Sequence, residues 1–137
     1  MSWHVASSNG VKDGGMVGIN KRQIGDQYEN MAARYLEKQG YKILARQYRS
    51  RQGEIDLVAQ DGRVVVFVEV KGRQNTAFGL PQEAVDRRKQ QRLWKVAQHF
   101  LWANRLQESL CRFDVVAICG KDPHTSLCHI KHAFCGF

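Results

Sequence analysis

A short β-hairpin is the feature that most restricts what this chain can fold into. Five consecutive apolar residues, Val64 to Val68, are typical of a strand that is buried on both faces of a sheet. The Asp61-Gly62 pair directly before this run is a strong signal for a hairpin turn. Such a strand needs other strands beside it and a covering layer on each face. We therefore predict an α/β fold with a mixed central sheet flanked by helices.

Charged residues follow the apolar run directly, where a purely structural strand would have none. Side chains alternate between the faces of a strand, so Glu69 and Lys71 share one face. With the Asp-Gly pair as a two-residue loop, Asp56 lies opposite Phe67 and Glu54 lies opposite Glu69. All four charged side chains then project the same way. Asp56 and Glu69 become diagonal neighbours, with Cα atoms about 7–8 Å apart.

Two carboxylates at this spacing suit a shared divalent cation. Like charges that face each other across strands destabilise a sheet, and a cation between them removes that cost. Mg²⁺ prefers hard oxygen ligands and keeps several waters, and such an ion polarises a bound phosphate. An adjacent lysine, here Lys71, can position the attacking water or offset negative charge in the transition state. The pattern favours phosphodiester hydrolysis that depends on Mg²⁺ or Mn²⁺.

Composition favours a basic protein that binds polyanions. The 137 residues include 21 Lys and Arg against 13 acidic residues, a net charge of +8 at pH 7. Such an excess favours nucleic acid first and anionic membrane surfaces second. No segment approaches the roughly 20 apolar residues that span a bilayer, and the N-terminus lacks the apolar stretch of a signal peptide. We therefore expect a cytoplasmic protein that is not embedded in a membrane.

Cysteine and histidine residues are concentrated near the C-terminus. The four cysteines are Cys111, Cys119, Cys128 and Cys135, and three histidines lie near them, at His124, His129 and His132. A zinc site is one interpretation, but these spacings match no zinc module. We expect instead reduced, half-buried cysteines on strands, as is usual in a cytosolic chain.

We predict the element order αβββαββ on one mixed sheet. Residues 1–22 are rich in glycine and serine and lack periodicity, so we expect a flexible N-terminal extension before a single domain at 23–137. Gly40 suits the end of the first helix, and Pro81 suits the start of the second. Apart from the hairpin, the predicted elements are helix 24–39, strand 41–48, helix 81–104, strand 111–119 and strand 127–133.

Several charged residues outside the hairpin are candidates for the same site. Glu29 lies at the border of the apolar stripe of the first helix, where a surface glutamate is the simpler interpretation. Lys89 lies within the apolar face of the second helix, and it either extends past its neighbours into solvent or reaches the hairpin carboxylates. Arg49, Arg51 and Arg73, together with Lys89, could contact backbone phosphates. For Arg49 and Arg51, solvated loop charges are the alternative.

Two segments resemble the signature of an uncharacterised bacterial family of small predicted endonucleases. They are Gly53-Glu54-Ile55-Asp56-Leu57 and Phe67-Val68-Glu69-Val70-Lys71-Gly72-Arg73. This family is similar to archaeal Holliday-junction resolvases, and both belong to the PD-(D/E)xK nuclease superfamily, which has a restriction-endonuclease-like fold. The resemblance extends from about Gly25 to Ile118. It also includes Glu29-x-x-Ala32, Gly40-Tyr41, Phe78-Gly79, Lys89 and Arg112-Phe113-Asp114.

The resemblance implies a role for each hairpin residue. Asp56 and Glu69 would bind the metal, and Lys71 would be the catalytic lysine. Glu29 would complete the site through a water molecule. Glu54 matches the family motif, but we assign it no ligand role.

Three residues depart from the family pattern. Tyr28 stands where relatives usually have glycine, Gln47 stands where asparagine is common, and Gly72 replaces a more usual threonine or serine. None of these changes removes a metal ligand, so the inferred activity is retained. They affect the expected local shape of the first helix and of the substrate loop.

Three functions are consistent with the sequence. The first is a Mg²⁺- or Mn²⁺-dependent endonuclease that acts on branched or otherwise structured DNA. The second is a non-catalytic DNA-binding module on a nuclease scaffold. The third is an adaptor for proteins or membrane surfaces, which leaves the carboxylates unexplained. Symmetrical resolution of a four-way junction would require a twofold homodimer, and nothing in the sequence shows one.

Overall fold

The computed structural model of this chain describes residues 21–73, 85–121 and 124–134. Two helices and five strands follow in the order αβββαββ, which confirms the predicted α/β fold. The elements are α1 Lys21–Lys38, β1 Lys42–Ser50, β2 Gly53–Asp61, β3 Val64–Arg73, α2 Arg87–Ala103, β4 Cys111–Lys121 and β5 His124–Phe134. Residues 1–20 of the predicted extension lie outside the described residues, and 21–22 begin α1.

The five strands form one mixed sheet in the order β1-β2-β3-β4-β5. All neighbours are antiparallel except β3 and β4, which are parallel. A parallel pair needs a long crossover connection, and α2 lies in it. The central strand β3 is buried on both faces as predicted: Phe67 packs in the core against α2, and Val66 and Val68 pack in the core against α1. Neither helix in the described part of the chain is long and apolar enough to cross a bilayer.

The loop of the β2–β3 hairpin lies one residue later than predicted. Asp61 pairs with Val64, so Gly62 and Arg63 form the loop. Gly62 has φ +63, the left-handed conformation that glycine adopts at the first position of a type II′ turn. The predicted register was therefore wrong by two residues. Side chains alternate every residue, so a two-residue error leaves their faces unchanged. The last pair of the ladder is Leu57 with Val68, so Asp56 and Glu69 are the next residue on each strand.

Helix α1 ends in a Schellman motif at the predicted glycine. Gly40 has φ +94. The Tyr41 amide donates to the Leu36 carbonyl at 3.0 Å, and the Gly40 amide donates to the Glu37 carbonyl at 3.0 Å. Tyr41 and Leu36 also pack in the same core cluster, which is the hydrophobic contact that usually accompanies this motif.

Helix α2 begins later than predicted. Asp86 is its N-cap, in extended conformation, and the Asp86 side chain accepts a hydrogen bond from the Lys89 amide at 2.8 Å. Val85 and Asp86 are not helical, so the predicted start at Pro81 was wrong, and Pro81 itself lies outside the described residues. An aspartate that satisfies a free amide of the first turn marks a helix start as strongly as a proline does. The cap places Lys89 in the first turn of α2.

A buried carboxylate joins β4 to β5. Asp114 is 1% exposed and accepts hydrogen bonds from Arg112 Nε at 3.0 Å and from the His132 amide at 3.0 Å. It is also bonded to His129 Nε2 at 2.7 Å. Burial alone would raise the pKa of Asp114, but these hydrogen bonds and the charge of Arg112 lower it overall. Arg112 extends the network to Asp61 and to the hydroxyl of Tyr41.

The cysteines only partly match their prediction. Cys111 and Cys119 are half-buried on β4, as expected, whereas Cys128 on β5 is exposed. All three are free thiols. Cys135 lies outside the described residues.

Candidate active site

The candidate catalytic residues meet where β2 and β3 separate. The ladder between these strands ends at Leu57 and Val68, although both strands continue beyond it. Past this point, Oδ2 of Asp56 accepts a hydrogen bond from the Val70 amide at 2.8 Å. The Asp56 side chain therefore replaces a missing strand partner, and its carboxyl group lies between the two strands.

Asp56 and Glu69 are the next residues on their strands after the last pair of the ladder, and the charge of Glu69 acts on Asp56. Glu69 is 8% exposed. Burial raises the pKa of Asp56 well above its usual range, and the neighbouring charge of Glu69 raises it further. The structure thus brings these two groups together, as predicted. Their role as metal ligands stays a prediction.

Two lysines neutralise Glu69. Lys71 Nζ lies 3.5 Å from Glu69 Oε2, and Lys89 Nζ forms a shorter ion pair with the same oxygen. Burial lowers the pKa of Lys71, and the charge of Glu69 offsets this only in part. Burial would also lower the pKa of Lys89, but its hydrogen bond to Glu69 raises the value overall. Of the two alternatives for Lys89, the structure shows the one in which it reaches the hairpin carboxylates.

Glu29 faces the same region from α1 and is 9% exposed. Burial raises the pKa of Glu29 to about 7, although a hydrogen bond with Gln47 lowers it, and the charge of Asp26 adds to the rise. The charge of Glu29 also contributes to the raised pKa of Asp56, and both residues line the same cleft. Glu29 is therefore part of the acidic cluster and not a surface glutamate at the border of the helix.

The sequence did not reveal the roles of Gln47 and Asp26. The Gln47 amide group donates to Asp26 Oδ1 at 3.3 Å and bonds to Glu29. Gln47 has φ +50, a left-handed conformation that asparagine adopts more readily than most residues. The backbone conformation would therefore suit the asparagine that the sequence analysis expected at this position. In the sequence, the one indication that position 47 matters was that glutamine stands there where asparagine was expected.

An open cleft of about 570 Å³ lies beside this cluster. Its lining includes Glu29, Asp56 and Lys71 from the predicted catalytic set. A second groove, of about 200 Å³, runs along α2 and is lined by Gln52, Gly53, Glu54, Lys89, Arg92, Leu93 and Val96. Glu54 lines both, so the two depressions adjoin.

The predicted phosphate-binding residues have different surroundings. Arg49 lines the cleft, but its Nε atom pairs with Glu54 Oε2 at 2.6 Å. Arg73 is the last residue of β3 and also lines the cleft. Arg51 is exposed in the turn between β1 and β2. The structure therefore places Arg49 and Arg73 at the cleft, Arg51 on the adjacent turn, and Lys89 at Glu69.

Sequence comparison identifies the relatives of this chain. The profile of the uncharacterised protein family UPF0102 matches residues 28–118. This chain belongs to that family. It is 46% identical to the UPF0102 protein of Trichlorobacter lovleyi over 87% of this chain and 95% of the relative. It is 48% identical to the UPF0102 protein of Lachnoclostridium phytofermentans, over 85% and 96%, and 49% identical to that of Syntrophus aciditrophicus, over 77% and 84%. The segment that matches the UPF0102 profile contains all four predicted catalytic residues, Glu29, Asp56, Glu69 and Lys71.

Two of the departures from the expected pattern are in direct contact. The Tyr28 ring is buried, and its hydroxyl donates to the Gly120 carbonyl at 3.1 Å. A Cβ atom added at Gly72 would lie only 2.0 Å from Tyr28 Cδ2. The tyrosine ring thus occupies the space that a serine or threonine side chain at position 72 would need. The packing of Tyr28 therefore depends on glycine at position 72, beside the cleft.

The donor set fits a hard cation that keeps much of its water. Within residues 21–73, 85–121 and 124–134, no group of three or more His, Cys, Asp or Glu side chains is arranged to hold a metal ion. Asp56 and Glu69 therefore offer a pair of carboxylates and not a complete cage. Mg²⁺ is commonly held by one or two carboxylates with waters and substrate phosphate in its other positions.

Proposed function

We propose that this chain is a metal-dependent endonuclease that hydrolyses phosphodiester bonds in branched or otherwise structured DNA in the cytoplasm. The convergence of Asp56 and Glu69 beside Lys71 carries this proposal. Buried carboxyl groups repel each other, and a structural strand would gain more from apolar residues at these positions. A cluster of perturbed titratable groups beside an open cleft is typical of a catalytic site.

Asp56 and Glu69 would hold the divalent cation, Mg²⁺ or Mn²⁺. When bound, such an ion polarises the phosphate and lowers the pKa of its bound water. Both carboxyl groups are held in place without it, Asp56 by the Val70 amide and Glu69 by the two lysines. The site is therefore preorganised, which reduces the ordering that substrate and cation would otherwise have to impose.

The other residues of the cluster have separate tasks. Lys71 lines the cleft, and its ammonium group would stabilise negative charge on the reacting phosphate. Glu29 would hold a water molecule against the carboxylate pair from the α1 side. Arg49, Arg73 and the adjacent Arg51 would contact backbone phosphates of the DNA, which fix its position without selecting a sequence.

A second candidate is a DNA-binding module without catalysis. The observation that favours it is the ion pair between Lys89 and Glu69, because this pair already neutralises one of the two carboxylates. In such a module the acidic cluster would be a closed polar network. DNA binding would then depend on the basic residues alone.

Cleavage assays on four-way junctions and flaps with Mg²⁺ or Mn²⁺ test the endonuclease proposal. Glu69→Ala and Lys71→Ala should each lower the cleavage rate by about 100-fold or more, which is typical of removing one electrostatic group from an active site. The exposed carboxylate Glu37 on α1 provides a matched control, and Glu37→Gln should cleave like the wild type. Tight junction binding with no cleavage by the wild type would reject the endonuclease and favour the module.

Thermal unfolding provides a test that does not depend on activity. Divalent cations should raise the melting temperature of the wild type by binding the folded state. Asp56→Asn should remove this effect and still accept the hydrogen bond from the Val70 amide. An equal rise in the wild type and in Asp56→Asn would show that the cation binds elsewhere.

A further inference from the structure

One exposed stripe of α2 combines positive charge with aromatic rings. It consists of Arg88, Arg92, Lys95, His99 and Trp102, all of them exposed. Their spacings of four, three, four and three residues place the five side chains on a single face of the helix. We call this set the α2 stripe. At about 1.5 Å of rise per residue, it is about 21 Å long.

Charge and exposure set the α2 stripe apart from an ordinary solvated helix face. The 17 residues of α2 include five Lys or Arg and no Asp or Glu. Surface helices usually mix both signs, so this helix has a one-sided attraction for polyanions. Trp102 is the last residue of the stripe and is 69% exposed, whereas most of the surface of a tryptophan side chain is usually buried. An indole exposed at the end of a basic stripe offers a flat surface on which a base could stack.

The α2 stripe is continuous with the candidate active site. Arg92 lines the groove that also contains Lys89, the partner of Glu69. Glu54 joins this groove to the cleft that holds Asp56. Further along, His99 is hydrogen-bonded to the Tyr48 hydroxyl, with ring centroids 5.8 Å apart, so β1 adds a second aromatic ring beside the stripe.

We infer that the α2 stripe binds a single-stranded segment of nucleic acid that leads into the active site. This inference rests on the proposed function for its substrate and adds the form of that substrate. Arg88, Arg92 and Lys95 contact successive phosphates, and Trp102 stacks on an unpaired base. Stacking on a protein side chain requires a base that is free of its duplex neighbours, so the indole selects single strands.

A membrane surface does not fit this helix. Helices that lie on bilayers insert a broad apolar face opposite their basic face. Most apolar residues of α2, including Leu93, Val96 and Phe100, are buried in the protein core. On α2, Trp102 is the one large apolar side chain that is exposed, which is too little for insertion, so a polyanion with flat bases is the better match.

Binding of a fluorescent oligo-dT by the full chain, in chelator and without cleavage, tests this inference. Trp102→Ala should weaken binding by about 5- to 150-fold, the range that base stacking on one aromatic residue contributes, and Trp102→Phe should restore most of it. The triple variant Arg88→Gln/Arg92→Gln/Lys95→Gln should reduce the slope of log K against log salt by about 2, at about 0.7 per single-strand phosphate contact. Blunt duplex should be insensitive to Trp102→Ala.

The control triple variant removes the same charge elsewhere. Arg34, Lys38 and Lys42 are exposed near the end of α1, and their replacement by glutamine should change the slope much less. Equal slopes in the two triple variants, an unaffected oligo-dT affinity in Trp102→Ala, or equally strong binding to phosphatidylserine vesicles would each overturn the inference. Cleavage that needs Asp56 but not Trp102 would reject the stripe and retain the endonuclease. A Trp102-dependent affinity without cleavage would reject the endonuclease and retain the stripe.

Discussion

The contact between Tyr28 and Gly72 makes a quantitative prediction about stability. In Gly72→Ala, the new Cβ would lie 2.0, 2.3 and 2.5 Å from three ring atoms of Tyr28. The ring cannot swing aside freely, because it is 7% exposed and its hydroxyl donates to the Gly120 carbonyl. Overpacking of this kind costs about 1–3 kcal/mol, whereas the loss of glycine's flexibility in the unfolded chain returns about 0.4–1 kcal/mol. We expect a net destabilisation of about 1–2 kcal/mol.

A double-mutant cycle isolates this contact from other effects. Tyr28→Ala alone should cost about 3–5 kcal/mol, as for other large aromatic side chains removed from a core. In the Tyr28→Ala background, Gly72→Ala no longer meets the ring and should be neutral or slightly stabilising. The double variant should therefore be about 2 kcal/mol more stable than the sum of the single effects predicts.

Urea unfolding of the four proteins measures the cycle, provided that the m-value is unchanged. Gly25→Ala is the matched control, because an added Cβ at Gly25 in α1 meets no atom within 4 Å. It should stabilise the protein by about 0.5–1 kcal/mol, as glycine replacement in a helix usually does. Additivity of Tyr28→Ala and Gly72→Ala within about 0.5 kcal/mol would refute the argument that the ring and the glycine are coupled.

Three other substitutions test single contacts. In chelator, the free energy of unfolding should fall as pH rises from 4.5 to about 7, because the folded-state pKa of Glu29 lies above its unfolded value. At 1.36 kcal/mol per pKa unit, Glu29→Gln should remove about 3 kcal/mol of this fall. Urea titrations at several pH values measure it, and the control Glu37→Gln should leave the fall unchanged. Asp114→Ala should cost about 3–5 kcal/mol in urea unfolding, because it leaves Arg112 without its buried partner; a loss below about 1 kcal/mol would contradict this. Asp86→Ala should cost about 1 kcal/mol by removing the cap of α2, and an unchanged melting temperature would show that the cap is dispensable.

The alternation of side chains along strands made much of the site predictable. Glu69 and Lys71 follow a buried run, and their shared position depends only on spacing along one strand. Asp56 could be placed near them despite the wrong register, because an error of two residues preserves the face. The position of the loop could not be predicted in the same way, since both Asp61-Gly62 and Gly62-Arg63 place glycine where a tight turn accepts it.

The remaining features depend on packing between distant parts of the chain. The helical periodicity of α2 allowed Lys89 either to extend into solvent or to reach the hairpin carboxylates. The approach of α2 to β3 decides that it meets Glu69. The contact of Tyr28 with Gly72 joins α1 to β3 across 44 positions of sequence, and no local pattern encodes it. Likewise, Gln47 adopts a left-handed backbone against its local preference, and its side chain donates to Asp26 on α1, 21 positions away in the sequence.

The hydrogen bond between Asp56 and the Val70 amide gives the protein an internal reporter. One carboxyl group both completes the sheet and would bind the cation, so an occupied site would fix Asp56 in the position in which it accepts the Val70 amide. Hydrogen exchange at Val70 should then slow on occupancy, and by more than at its neighbours in the β3–β4 ladder. A single backbone proton would thereby signal loading of the site before any substrate has been identified.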